Sequence, residues 1–478
     1  MVRAAAALAL LAELCSNTAW AQVYNFEAVR VPMSRTLKIL HSFYVYSHDE
    51  APERTGLALP QVAFKNVHAE STNPAIPTSS KTDYHSIQVS LMRYENFWNI
   101  IDPKEFCCTK DDDKALCPES DGLRVNRSRY ASEDAADVYI HRVEFVEPGL
   151  TLDETKVIPK TGVYLLVLSN CGWFQEATIS GQVSVKGSYG YLPGNEYFKI
   201  PFYGWLLCIY MVLATIWFFL SLRWWKELFA IQWCISAVII LGLMESLARY
   251  VYVQDWNTTG EQPLVLCVIV ILASAVKTTF SHMLLLVVSL GWRVTRPQLA
   301  RRVICKIQAI SLLYIVLVFT TGSVRSLWTD LPATNVFTYV FILCLYTVLL
   351  LDAGIFCWVF TALSNLKETL ADNGETEKLL LFSRLRKILV FAMTVQIAQI
   401  ATVYLYETPS VHLYPGQWQY VFLLGEGCPH VLFLVVLAAN MYLWAPHKHS
   451  HWYSFSVSQS FVEEKVVKDN VDLENEGA

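Results

Sequence analysis

Ionisable residues stand inside apolar runs of this chain, among them Glu245, Arg249, Lys277, Asp352, Glu426 and His430. A charge facing hydrocarbon costs several kcal/mol, so such residues turn inward, pair with one another or line a wet cavity. Glu245 and Arg249 are four apart and share a helix face, where they can pair locally. If the run holding Glu245 climbs to one membrane face and the next run descends from it, Glu245 lies about 8 residues, or ~12 Å, below that face. Lys277 then lies ~20 Å below it on the neighbouring helix, a difference that a long lysine side chain largely covers. Two chemistries fit. A Glu245 and Lys277 pair could line a water-accessible cavity that takes a cation or a polar headgroup, or it could be a buried ion pair that fixes helix register. Glu426 is expected at the depth of Glu245, with His430 one turn further down beside Pro429, and Asp352 ~25 Å from the same face. Acids at two depths thus bracket a central lysine. His282, alone near the cytoplasmic half of the run that also holds Lys277, reads as a core histidine.

Seven runs are long enough to cross a ~30 Å hydrocarbon layer and must position these groups: 202–222, 229–253, 264–291, 303–321, 335–360, 388–406 and 418–444. Their connections carry a charge asymmetry. Loops on one side and the tail hold Arg223, Lys226, Arg293, Arg296, Arg301, Arg302, Lys306, Lys367, Lys378, Arg384, Arg386, Lys387 and Lys448, against Arg325 alone on the other. The positive-inside rule therefore predicts a luminal amino terminus and a cytoplasmic carboxyl terminus. Residues 1–21 read as a secretory signal, with Arg3, an Ala/Leu run and Ala19-Trp20-Ala21 as a cleavage site. Trp205, Trp224, Trp225, Trp256, Trp328, Trp418 and Trp444 fall near helix ends as interfacial anchors.

Between the signal and the first crossing, residues 22–201 form a soluble, luminal unit. Short β-branched or alternating runs at 37–46, 61–67, 87–92, 138–146, 163–168 and 177–185 are separated by Pro, Gly, Asn and Asp clusters, which predicts an antiparallel β-sandwich. Of twelve cysteines, Cys107, Cys108, Cys117 and Cys171 lie in this unit and are disulfide candidates; sequence leaves the pairing open, although neighbouring Cys107 and Cys108 are poor partners for each other. Asn126 and Asn257 begin glycosylation acceptor triplets. Residues 445–478 are polar and acidic towards the end, as in a disordered tail that cytosolic sorting machinery can reach.

The net charge of -5 carries no basic excess for nucleic acid. No Gly-x-Ser-x-Gly elbow accompanies the scattered His41, His68, His85 and His141, and His282 and His430 are too few for an intramembrane zinc centre, so neither enzyme chemistry nor a cofactor is expected. The third run ends Val288-Ser289-Leu290-Gly291-Trp292-Arg293, without an acidic-Arg-Tyr signature, and the seventh has no Asn-Pro-x-x-Tyr, which argues against a G-protein-coupled receptor.

Three stretches together resemble one family: Gly190 to Pro193 with Pro201 to Gly204; Trp224 to Trp233 continuing through Leu241 to Glu245; and Ser274 to Lys277 running through Val288 to Gly291 to Arg296 and Pro297. They are similar to the lung seven-transmembrane receptor family, proteins with a Golgi-dynamics domain. The resemblance implies a membrane α-helical fold, a seven-transmembrane bundle with an N-terminal luminal antiparallel β-sandwich. It also implies residence in Golgi, post-Golgi and endosomal membranes, and a role in vesicle-mediated trafficking that includes return from endosomes to the Golgi. Similarity to Wntless, a carrier of lipidated proteins, adds a cavity that holds membrane lipids and a sandwich that meets luminal protein cargo. Some members are proposed to conduct cations or to regulate Golgi pH. The resemblance places charged residues at Glu245, Lys277, Asp352 and Glu426 in that context, with Lys277 as an internal plug or gate.

Overall fold

The computed structural model of the 478-residue chain describes residues 22–31, 36–47, 59–71, 86–95, 97, 107–108, 123, 138–144, 152–158, 160–171, 177–296, 298–327, 336–407 and 422–446. Eight strands precede the helices: β1 (Val23–Arg30), β2 (Thr36–Val45), β3 (Gln61–Ser71), β4 (Ser86–Arg93), β5 (Val138–Glu144), β6 (Leu152–Val157), β7 (Gly162–Asn170) and β8 (Ala177–Lys186). They form two four-stranded antiparallel sheets, ordered β1-β8-β3-β6 and β2-β7-β4-β5. The alternate residues that the two sheets turn towards each other, Phe26, Val62, Phe64, Ile179 and Val183 from one and Phe43, Ile87, Val89, Leu166 and Leu168 from the other, make a single buried core. This is the expected sandwich.

The two strands absent from the sequence reading, β1 and β6, are the two edges of one sheet. An edge strand packs on one face only and is kept polar to discourage pairing with another chain. In β1 only Phe26 is buried, and β6 reads LDETKV. Strand β7 is the opposite case. Its GVYLLVLSN run is buried along nearly its whole length, because one face joins the sandwich core and the other is covered. Buried Cys108 and Leu123 lie on that side: the Leu123 N–H donates to Gln88 Oε1 at 2.6 Å, and Leu123 bridges to Cys107.

Cys107 is disulfide-bonded to Cys171 at the end of β7, closing a separation of 64 residues. Cys108 is also disulfide-bonded, while Cys117 and Asn126 lie outside the described residues. Loop closure of that length stabilises the folded state by about 4 kcal/mol. Cys171→Ser is therefore expected to lower the sandwich's unfolding free energy by a comparable amount, read from denaturant titration of the full chain under oxidising conditions.

Among the described residues, seven α-helices follow the last strand: α1 (Lys199–Arg223), α2 (Ala230–Thr259), α3 (Leu264–Ser289), α4 (Arg301–Leu327), α5 (Val336–Asp372), α6 (Thr376–Glu407) and α7 (Cys428–Leu443), the last entered through a π-helical turn at Leu423–Gly427. Among the described residues six are long and apolar enough to cross a membrane. The exception is α6, whose first turns carry Glu377, Lys378, Arg384, Arg386 and Lys387 before the apolar part begins. Large apolar side chains such as Trp205, Phe219, Val265 and Leu350 point outwards, as they must in a bundle whose solvent is lipid. Residues 1–21 and 447–478, which include the expected signal and nearly all of the expected tail, lie outside the described residues.

The sandwich is seated on the bundle through a compact joint. The turn Gly187–Gly190 leads from β8 to Tyr191, whose N–H donates to the Asn257 carbonyl at 2.9 Å near the end of α2. The Asn257 side chain completes the clasp: its Nδ2 donates to the Tyr189 carbonyl at 2.8 Å and its Oδ1 accepts from the Leu192 N–H at 3.1 Å. Beside it Tyr197 packs against Tyr189 at 4.3 Å and Tyr46 at 5.7 Å between ring centroids. Burial among these rings, and the neighbouring hydroxyls of Tyr46 and Tyr197, hold the Tyr189 phenol well above the usual tyrosine range. The glycosylation read at Asn257 is corrected here. Its carboxamide is 9 % exposed and committed at both ends to backbone, so it is a structural tie and not a free acceptor.

Candidate functional site: a buried ionic network

Three helices and the π turn bring most of the intramembrane charges together. Glu245 on α2 is 1 % exposed and Lys277 on α3 is 4 % exposed, and they form an ion pair through Glu245 Oε2 and Lys277 Nζ. The other carboxylate oxygen, Oε1, accepts from Arg249 Nε at 3.1 Å one turn along α2. Both alternatives left open by sequence, the local and the interhelical pair, are thus realised on one carboxylate. The Lys277 ammonium also sits 4.2 Å from the centroid of Phe433 on α7, a cation–π contact that covers its remaining face.

Arg249 extends the network. Its Nη1 donates to the Tyr203 hydroxyl at 3.2 Å and its Nη2 to Ser274 Oγ at 3.4 Å. Tyr203 Oη donates to Glu426 Oε2 at 3.3 Å, and Lys199 Nζ meets the same carboxylate at 3.2–3.3 Å. Lys199 also pairs with Glu196, just ahead of α1. The result is a chain of alternating sign, Glu196, Lys199, Glu426, Tyr203, Arg249, Glu245 and Lys277, running from the sandwich joint into the bundle. Side-chain exposure is uneven along it, at 19 % for Glu196, 13 % for Lys199, 31 % for Glu426 and 19 % for Arg249, and it is lowest at the inner pair, at 2 % for Glu245 and 5 % for Lys277. The Glu245–Lys277 pair is its most buried part, packed between α2, α3 and the Phe433 ring of α7.

Local sequence explains this placement. Gly242, one turn before Glu245, leaves the space that the Tyr210 ring fills; a Cβ there would lie 2.4 Å from Tyr210 Cε1. Close approach of α1 and α2 is what lets Tyr203 reach Arg249. Glu426 lies in the π turn, where the helical register shifts just before Pro429 and turns the carboxylate towards α1. It therefore reaches Glu245 only through Tyr203 and Arg249. His430 stands edge-on to Tyr203 at 5.8 Å between ring centroids, inside the same cluster.

Asp352 does not join. From α5 it faces His282 Nδ1 of α3 at 3.6 Å, and the His282 ring stands edge-on to Tyr314 of α4, making a second polar layer in the bundle. His282, read from sequence as a packing residue, packs against Tyr314 and Phe356 but also has this acidic partner. Sequence reasoning missed Glu196, Lys199, Tyr203, Ser274 and Tyr314. Tyr203 lies within, and Lys199 two residues before, the Pro201-Phe202-Tyr203-Gly204 stretch that carried the family resemblance, and that was the available signal. Among the described residues no group of three or more His, Cys, Asp or Glu side chains converges as a metal site.

Comparison with known proteins places this architecture. The family model described as "GOST, seven transmembrane domain" matches residues 198–451, more than half of the 478-residue chain. Transmembrane protein 87A of Xenopus tropicalis is 26 % identical over 79 % of this chain and 69 % of its own length. Transmembrane protein 87B of Mus musculus is 27 % identical over 61 % of this chain and 51 % of its own length, so the match spans about half of that relative. Membrane protein PTM1 of Saccharomyces cerevisiae is 22 % identical over 71 % of this chain and 65 % of its own length. With a β-sandwich seated on a helical membrane domain, and that domain matched along its whole length, the chain belongs to the GOST seven-transmembrane family, which includes the lung seven-transmembrane receptor group.

Proposed function

We propose that this protein works in vesicle-mediated trafficking at Golgi, post-Golgi and endosomal membranes, with the sandwich in the lumen meeting protein cargo and the tail in the cytosol meeting sorting machinery. The observation that carries this reading is the seat of the sandwich: the Asn257 clasp and the Glu196–Lys199–Glu426 ion cluster fix a binding module in one orientation above the bilayer. A module held in this way can present captured cargo at a constant height and angle to a membrane being shaped into a carrier. The outer end of the ionic network lies just below it, where Glu426 at 31 % exposure and Glu196 at 19 % offer charge to a polar headgroup.

The test is a deletion and rescue experiment in cells that carry the gene. Loss of the protein is expected to slow the endosome-to-Golgi return of a luminal reporter by at least two-fold, with rescue by the wild-type chain. Unchanged return kinetics would remove the trafficking reading. A second reading, a cation conductance gated at Lys277, draws on the two ionisable layers stacked along the bundle, Glu245–Lys277 and His282–Asp352. Under that reading purified protein in planar bilayers carries current that rises in Lys277→Ala; silent bilayers in repeated reconstitutions remove it.

A further inference from the structure

At the end of the bundle away from the sandwich, α2, α3 and α4 enclose a cavity of about 410 Å³. Its lining is mostly apolar, with Phe280, Leu284 and Val287 from α3 and Ile307 from α4, and Arg293, Gln298 and Gln308 add polar groups. That volume lies within the roughly 300–1,000 Å³ typical of ligand cavities. Ile304, another wall residue, is 39 % exposed, so the space communicates with the outer, lipid-facing surface.

Arg293 lines the cavity, and the α3–α4 connection that carries it has charge of one sign. Arg293 and Arg296 are exposed in the turn after α3, and Arg301, Arg302 and Lys306 are exposed at the start of α4. No Asp or Glu occurs between Glu261 and Asp330, and among the described residues none of these five cations is in an ion pair. Arg293 is held in the left-handed region at φ 62°, its N–H donating to the Arg296 carbonyl at 2.8 Å, a conformation that non-glycine residues adopt only when their surroundings enforce it. An apolar slot open to lipid, with Arg293 in its lining and four more cations on the adjoining connection and first turns of α4, is complementary to an acyl chain carrying an anionic head.

We propose that this cavity is a binding site for an anionic phospholipid of the cytoplasmic leaflet, with an acyl chain between α3 and α4 and the phosphate at Arg293. It is separate from the Glu245–Lys277 network, and only the naming of the leaflet rests on the orientation proposed above. Native mass spectrometry of the full chain in detergent, with dioleoyl phosphatidylserine or dioleoyl phosphatidylcholine added at equal concentration, tests it. Phosphatidylserine is expected to be retained at least ten-fold better. Arg293→Gln, a change at an exposed side chain, is expected to cut that retention at least five-fold, and Val287→Trp, which fills the slot, to abolish it. Equal retention of the two lipids, or undiminished phosphatidylserine retention in Arg293→Gln, overturns the proposal whether or not Val287→Trp folds. Labelling of exposed Cys305 with an impermeant maleimide from the cytosolic side supports the leaflet assignment, and labelling only from the lumen overturns it.

Discussion

Glu245→Ala is expected to destabilise the bundle by about 3–5 kcal/mol, the usual consequence of leaving a buried charge without its partner. Two cations lose their anion at once: Lys277, left at 4 % exposure with only the Phe433 ring, and Arg249, which keeps Tyr203 and Ser274. Lys277→Ala is expected to cost less, because Arg249 still neutralises the carboxylate. The double substitution Glu245→Ala with Lys277→Ala should be milder than the sum of the two, by about 2 kcal/mol or more, since each single change strands what the other removes. Exchanging the two residues is not expected to restore stability, because a lysine at 245 would stand four residues from Arg249 on the same helix face. Thermal unfolding in lipid nanodiscs reads all four proteins, and additive effects would show that the pair is energetically uncoupled.

Gly190→Val is the second large effect, and it acts at the joint instead of within the bundle. Gly190 has φ 137°, where a side chain is strained, and a Cβ would lie 2.4 Å from Asn257 Oδ1 and 2.6 Å from the Asn257 carbonyl oxygen. Backbone strain of about 1–3 kcal/mol adds to the loss of clasp hydrogen bonds worth about 1 kcal/mol each. The sandwich and the bundle each keep their own core, so the expected outcome is two separated thermal transitions and rapid proteolysis around residues 187–198 in a protein that still inserts. A single cooperative transition at the wild-type temperature would show that the clasp contributes nothing.

Much of this architecture was legible in the sequence, and the parts that were not have identifiable causes. Runs such as Ile87 to Met92 and Val163 to Leu168 face the sandwich core, and burial imposes the pattern that reveals them. Edge strands β1 and β6 lack that pattern because half of each faces solvent. The apolar crossings were visible for the same reason in reverse, lipid demanding apolar side chains on every outward face. The meeting of Glu245 with Lys277 followed from depth arithmetic on two straight, adjacent helices. Glu426 escaped that arithmetic because its depth was counted on a regular helix, whereas the π turn at Leu423–Gly427 alters the register and hands its carboxylate to Lys199 and Tyr203. Asp352 meets His282, a partner that could not be chosen from sequence, since nothing in spacing shows which face of α5 meets α3.

The buried charges thus serve two levels of the molecule. At the pair they lock α2 to α3; at Glu426 and Lys199 they tie the last helix and the first to the base of the sandwich. A side-chain-resolution cryo-EM map of the full chain in lipid nanodiscs addresses this most directly. It should show the Glu245 carboxylate bridging Lys277 and Arg249 within 4 Å, with Tyr203 between Arg249 and Glu426. Density placing Glu245 and Lys277 apart, with a continuous file of water between them, would contradict it.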